Sequence, residues 1–300
     1  MRGDVQFHNP GKWFYLRLVW CALGVGLATL TAQVVETLGP RVAVFHASAA
    51  ERETALPSCA LVGTRRGAAG AGGVTLRPVF SVEDGRQVVE VAVAPGTALY
   101  GTGEVSGPLL RNGRTVTLWN SDVYGYDGRT PALYQSHPWV LGVRADGSAF
   151  GVIFDSTYRQ VLALPPLSGG PIRTEADGPA FPVLVIERDT PPQVVMALAE
   201  LTGRMPLPPK WSLGYHQCRW SYAPEARVIE IAAGFRARRI PCDTLWLDID
   251  YMEDFRIFTF DPQRFPHPRQ LNADLHAQGF HTVCMIDPGW KSDECLPAQP

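Results

Sequence analysis

An antiparallel β-sandwich followed by the first strands and helices of a parallel sheet is the fold class this sequence predicts, and three observations carry it. Between about residues 33 and 187, short runs rich in β-branched and aromatic residues are separated by turn residues. A stiff connector with Pro206, Pro208 and Pro209 then interrupts the chain. Beyond Trp211 strands alternate with helices, and right-handed crossovers force such strands parallel.

Composition frames the rest. The 300 residues are 46% hydrophobic and 19% charged, with 29 Gly and 26 Pro, the profile of a turn-rich globular protein of about one to three domains. A formal charge of -2 gives no long-range pull toward nucleic acid or acidic lipid, so neither partner is expected and a neutral sugar suits the balance. Cys21, Cys59, Cys218, Cys242, Cys284 and Cys295 form no CxxC pair and read as buried or ordinary surface thiols rather than a zinc site or disulfide framework.

Residues 18–30 form an apolar run behind Arg2, Lys12 and Arg17, the outline of a signal peptide and too short to span a bilayer. Leu30 occupies a position where cleavage wants a small side chain, and Trp13, Phe14 and Tyr15 crowd the segment. A buried strand or non-native leader is the plainer reading, so localisation stays undecided, with cytoplasmic favoured over exported.

Strands are expected over residues 33–35, 41–45, 88–93, 115–119, 140–144, 150–154 and 183–187, pairing as antiparallel sheets. Residues 143–152 read as a hairpin turning at Asp146-Gly147. The stretch GTRRGAAGAGG, residues 63–73, buries almost nothing and reads as a flexible surface loop. Residues 190–203 form a helix capped by Thr190, opened by Pro191 and Pro192, faced by Val194, Val195, Leu198 and Leu201, and ended by Gly203. After the connector come a strand at 213–218, a helix at 224–239 with Val228, Ile231, Ala232 and Phe235 on one stripe, and a strand at 244–249. A helix at 268–278 and a strand at 281–286 follow. A (β/α)₈ barrel and an open doubly wound sheet both satisfy this pattern.

Either architecture binds ligands at the carboxyl ends of its strands. Those ends carry Arg219, Trp220 and Tyr222, then Asp248, Asp250, Tyr251 and Asp254, then Asp287, Pro288 and Trp290. Carboxylates accept strong hydrogen bonds from adjacent hydroxyls while an aromatic face packs on the C–H side of a sugar ring. Cleaving a glycoside further requires two carboxyl groups flanking the bond. Asp248 and Asp250, two apart on a strand, could instead share a face and hold a divalent metal, as in a glycosyltransferase that uses nucleotide sugars. His216 and Cys218 also share a face, where packing is preferred to zinc, and Trp246 reads as core. No Gly-rich phosphate loop joins a strand to a helix, since Gly101-Thr102-Gly103 lies in the β-rich half.

The strings WSLGYHQCRWSY (residues 211–222), CDTLWLDIDYMEDFRIFTFDPQRFPHPRQL (242–271) and MIDPG (285–289) resemble the opening of the barrel in glycoside hydrolase family 31. Upstream, LYGTGEV (99–105), TLWNSD (117–122), YQSHPW (134–139), FGVIFDS (150–156) and LTGRMPLPPKW (201–211) extend the resemblance. It implies an all-β N-terminal sandwich followed by the first three βα units of an incomplete (β/α)₈ TIM barrel, working without a cofactor. The implied layout is a leader at 1–32, a galactose mutarotase-like sandwich at 33–189, a helix and linker at 190–210, and the truncated barrel at 211–300. Asp248 and Trp220 would bind the sugar before the cleaved bond, Met285 would line its pocket, and Asp122 would reach the sugar on the leaving-group side. Asp250, Asp287 and Arg219 would brace the site. The string LDIDYM looks like the α-glucosidase members, which implies an α-glucoside or malto-oligosaccharide partner. The family's nucleophile and acid/base aspartates lie on later strands, so the resemblance places both beyond Pro300 and leaves this chain inactive alone. A carbohydrate-binding module without chemistry and the metal-dependent glycosyltransferase stand as alternatives.

Overall fold

The computed structural model describes residues 33–55 and 68–287. The apolar run at 18–30, residues 63–67 of the glycine-rich stretch, Cys21, Cys59, Cys295, Pro288 and Trp290 therefore lie outside the described residues. The chain divides into two compact units at Arg204 and Met205.

The first unit is built from β1 (Val34–Gly39), β2 (Val42–His46), the short helix α1 (Ala49–Thr54), β3 (Ala68–Ala69), β4 (Pro78–Glu83), β5 (Arg86–Val93), β6 (Ala98–Gly103), β7 (Thr115–Leu118), β8 (Ser136–Val143), β9 (Ala149–Phe154), β10 (Gln160–Ala163), β11 (Gly170–Ala176), β12 (Val183–Arg188) and helix α2 (Pro191–Thr202). Two antiparallel sheets result, one in the order β3-β1-β2-β12-β9-β8-β6 and one in the order β4-β5-β11-β10-β7. Strand alternation sorts their side chains. Phe45, Phe150, Phe154, Val183 and Val185 enter a core shared with Val89, Val91, Leu162 and Ile172 of the smaller sheet. The residues between them, Val42, Ala149, Ile153, Leu184 and Ile186, point the other way and meet Val194, Ala197 and Leu201 of α2. The larger sheet is thus buried on both faces, which is why β9 and β12 read as continuous apolar runs.

Three local expectations change. In α2 Ala197 is buried and Val195 is half exposed, because the helix lies close on the sheet and a small residue takes the contact. Thr190 makes no side-chain cap, the prolines at the first turn having removed N–H groups that a cap would satisfy. Within the glycine-rich stretch, Ala68 and Ala69 pair with Thr37 and Glu36, so backbone hydrogen bonding recruits this segment as an edge strand.

The β8–β9 hairpin closes as expected, with Gly147 at φ +87 donating to Arg144 O and Arg144 N donating to Ser148 O. On the inner face the Phe150 ring lies over Gly142, its direct cross-strand partner. On the outer face the Trp139 ring lies over Gly151. A β-carbon at either glycine would run into the ring.

Glu187, 1% exposed, accepts hydrogen bonds from Thr75 N and Oγ1 and pairs with Arg144, whose guanidinium carbon is 5.0 Å from the Phe150 centroid. Burial alone would push its carboxyl pKa up, but the Thr75 bonds and the guanidinium outweigh that and hold it below the ordinary value. A depressed folded pKa contributes stability that is present above the unfolded value of 4.5 and lost as pH falls through the folded one. Glu187→Ala should therefore cost the first unit roughly 1–3 kcal/mol at neutral pH, because it takes the shared acceptor from Thr75 and from the half-buried Arg144 guanidinium. The urea midpoint measures this, and the gap between variant and parent should narrow in acid.

The second unit contains a 3₁₀ turn at Lys210–Leu213, β13 (His216–Gln217), α3 (Glu225–Ala237), β14 (Thr244–Leu247), 3₁₀ turns at Ile249–Tyr251 and Glu253–Phe255, α4 (Pro268–Ala277) and β15 (His281–Cys284). The strands are parallel and lie in chain order, His216 opposite Thr244 and Thr244 opposite His281. Val228 and Ala232 of α3 and Leu271 and Leu275 of α4 share one core with Leu245 and Leu247 of β14, so both helices cover the same face. Phe280, fully buried, fills that core with the Arg236 guanidinium 3.5 Å from its ring centroid. The strands are shorter than their apolar runs: the 3₁₀ turn at Lys210–Leu213 delays the start of β13, the turn at Ile249–Tyr251 ends β14, and β15 pairs only as far as Cys284.

Candidate functional site

The carboxyl ends of β13, β14 and β15 gather most of the residues singled out in the sequence. Asp248 follows the last residue of β14 and caps the 3₁₀ turn beyond it, its Oδ1 accepting from Ile249 N at 2.8 Å. Its Oδ2 lies 3.7 Å from Cys218 Sγ, the thiol donating. Asp250 lies inside the turn, and its Oδ2 accepts from Ser221 Oγ. Both Cys218 and Ser221 belong to the connection that follows β13. Each carboxylate is thereby tied to the neighbouring strand's connection, and the tie fixes its direction without neutralising it.

This arrangement corrects the parity argument for Asp248 and Asp250. The strand ends at Leu247, and the two side chains have separate partners on a turn rather than one face of a strand. His216 is likewise committed. Its Nδ1 accepts from Trp246 Nε1 at 3.1 Å while Nε2 donates to Ser212 O at 3.2 Å, which uses both ring nitrogens and leaves none for an ion. Trp246 is half buried and hydrogen-bonded rather than enclosed in the core. Among the described residues no three His, Cys, Asp or Glu side chains assemble as a metal-binding group, and no helix is long and apolar enough to cross a membrane.

Trp220 sits two residues beyond Cys218 with φ +32 and 76% of its surface exposed. Positive φ is uncommon for so bulky a residue, and here it accompanies an indole that no ring or core residue covers among the described residues. Arg219 beside it is exposed. Tyr222 turns inward instead, 8% exposed, its hydroxyl accepting from Gln217 Nε2 at 2.6 Å. Tyr251 is also buried, and its hydroxyl donates to Met285 O at 2.9 Å, joining the end of β14 to the end of β15. Burial pushes that phenol up, which keeps it a donor at neutral pH. Met285 is half buried and its N–H donates to Leu247 O at 2.8 Å, while Asp287 is exposed at φ +43.

Asp122 belongs to the first unit, on the loop after β7, where it is exposed and accepts at Oδ1 from Tyr134 Oη at 3.1 Å. Tyr134 Oη also donates to Val123 O at 3.3 Å, so one phenol ties down two consecutive residues of that loop.

Sequence reading missed Cys218, Ser221 and Tyr134 as partners of the carboxylates. For the first two a signal existed, because a thiol or hydroxyl just past one parallel strand lies beside the residues just past the next. Cys218 is exposed, yet burial of its sulfur and then the Asp248 charge push its thiol pKa up. It serves as a hydrogen-bond donor rather than as a nucleophile.

Partly exposed carboxylates with fixed lone pairs can accept from adjacent hydroxyls, and an uncovered indole on the neighbouring connection can pack on an apolar ring face. Residues 205–299 match the model for the glycosyl hydrolases family 31 TIM-barrel domain, and residues 46–161 match that for the glycosyl hydrolase 31 N-terminal galactose mutarotase-like domain. The chain is 47% identical over 195 residues to alpha-glucosidase 2 of Bacillus thermoamyloliquefaciens, an alignment covering 65% of this chain and 24% of that relative. It is similar to the crystal structure of a family 31 alpha-glucosidase from Bacteroides thetaiotaomicron, with TM-score 0.64, 50% identity, and coverage of 73% of this chain and 37% of that one. A family 31 dextranase of Flavobacterium johnsoniae shares the fold, at TM-score 0.74 and 23% identity over 86% of this chain and 36% of its own. The chain thus spans about a quarter of the curated relative it matches.

Proposed function

This chain belongs to glycoside hydrolase family 31, and on that premise we propose that it forms the sugar-gripping front part of a retaining α-glucosidase acting on α-linked glucosides. The observation that carries the reading is Asp248, an acceptor held from two sides at the mouth of a parallel sheet, whose partner Cys218 lies on the neighbouring connection two residues before the exposed indole of Trp220. Asp248 and Trp220 grip the terminal glucose, and Met285 lines its pocket. Asp250, Asp287 and Arg219 brace this arrangement. Three parallel strands in chain order with both helices on one face support the opening of a (β/α)₈ barrel over a doubly wound sheet, which would place helices on both faces. The α-glucosidase names of the relatives at 47% and 50% identity support the substrate class.

Retention requires a nucleophile and an acid/base carboxyl flanking the bond. We assign neither role within residues 1–300 and place both on later barrel strands. Asp248 and Asp250 are tied to partners on one connection, an arrangement that suits binding rather than attack. The chain should accordingly release no nitrophenol from an aryl α-glucoside above the uncatalysed rate. Turnover by these residues alone would overturn the assignment of the reacting groups elsewhere. The binding-module reading shares this site and differs only in lacking chemistry in the whole protein. The metal-dependent reading loses support from the separate commitments of Asp248 and Asp250.

A further inference from the structure

A cleft of about 540 Å³ opens at one end of the sandwich, where β7 ends, β8 begins and the β9–β10 connection crosses between the sheets. We propose that it is a second carbohydrate site, carried by the first unit alone and shaped for a neutral pyranoside. Its volume falls within the range of small-molecule sites.

Its chemistry selects the ligand class. No Lys, Arg, Asp or Glu side chain lines the cleft, so an ionic ligand would be desolvated there without a counter-charge. Trp119 and Tyr158 line it with 53% and 43% of their surfaces exposed, and among the described residues neither ring stacks on another. Tyr158 is a braced platform. A β-carbon at Gly178 would lie 2.5 Å from its Cγ and Cδ1 and 2.8 Å from its Cδ2, so the ring lies flat on the glycine backbone and only its other face is available. An aromatic face offered this way suits the C–H side of a sugar ring.

The polar groups supply the complement. Asn120 commits its Oδ1 to Ser136 N at 2.8 Å, which leaves its amide donors for a ligand. The hydroxyls of Ser136, Thr157 and Tyr158 make no hydrogen bond among the described residues, so each can donate or accept. The floor beneath them is rigid. Gln160, 1% exposed, donates to Phe154 O and Ser156 O at 3.1 and 3.0 Å and accepts from Thr174 Oγ1 at 3.2 Å. Unpaired donors and acceptors beside open aromatic faces, on a backbone already fixed, let a polyol bind with little ordering cost.

The test uses the full chain carrying Asp248→Ala, which removes the grip at β14 and makes this site independent of the function proposed above. Calorimetric titration with maltotriose should still give saturable binding, and glucuronate should not displace it. Adding Trp119→Ala or Tyr158→Ala should weaken that binding at least about tenfold. Thr157→Trp, placed on an exposed connection, should block it while far-ultraviolet circular dichroism stays unchanged. Absence of saturable binding in the Asp248→Ala chain would overturn the proposal, as would binding that Trp119→Ala and Thr157→Trp both leave intact.

Discussion

Asp248→Ala is expected to remove hexose binding at the mouth of β14, with a loss of roughly 3–6 kcal/mol, or more than about a hundredfold in Kd for maltose. The figure follows from two charge-assisted hydrogen bonds at about 1.5–3 kcal/mol each, made by a carboxylate that Ile249 N and Cys218 Sγ already orient. Because Asp248 also caps the following turn, alanine adds about 1 kcal/mol of local destabilisation that could be mistaken for a binding effect. Asp248→Asn separates the two. Asparagine caps as well as aspartate does, so the turn survives, while the charge and one strong acceptor disappear. The measurement is best made in a chain carrying Thr157→Trp, which blocks the cleft of the sandwich. Maltose binding by Asp248→Asn equal to that of its parent would sink the proposed role of this residue.

Phe280→Ala should be the most damaging single core change in the second unit, at roughly 3–5 kcal/mol. The ring is fully buried among the α3, α4 and β14 side chains, and its face carries the Arg236 guanidinium at 3.5 Å. Truncation leaves a cavity and removes the cation–π contact of a half-buried guanidinium together. Since a whole domain is stable by only about 5–15 kcal/mol, the second unit should lose most of its cooperative transition. Arg236 also donates to Gln278 O and Cys242 O, so it would stay in place over the hole rather than swing into solvent. Urea unfolding followed by tryptophan fluorescence should show the transition of the first unit unmoved. Phe280→Leu, closer in volume, should cost less than Phe280→Ala. An unchanged midpoint for the alanine variant would show that the unit does not depend on this packing.

The two units differ in how readily their sequence discloses them. The continuous apolar runs of β9 and β12 were legible because both faces of their sheet are buried, and the stripe on α3 because burial repeats every three to four residues in a helix. Ala68 and Ala69 were not, since their contribution is backbone hydrogen bonding and leaves no hydrophobic signature. Val195 misled for the opposite reason, because a large apolar residue advertises burial that the neighbouring Ala197 provides. At the site, residue types at strand ends pointed to Asp248 and Trp220. The ties from Cys218 and Ser221 needed the register of β13 against β14, and no periodicity reports that register. The same is true of Tyr134 and Asp122, twelve residues apart on an irregular loop.

Two glycines on β8 and β9 bear on how the sandwich finds its pairing. Phe150 seats in the notch at Gly142 and Trp139 in the notch at Gly151, one on each side of the same ribbon. Sliding the ribbon by a single residue would drive each ring against a neighbour that has a β-carbon and would turn the whole row of side chains over. The two notches therefore act as a key that admits one alignment. Because strand, turn and strand are contiguous, that alignment can be selected by contacts close in sequence, before the distant partners β2 and β12 arrive to extend the sheet on it.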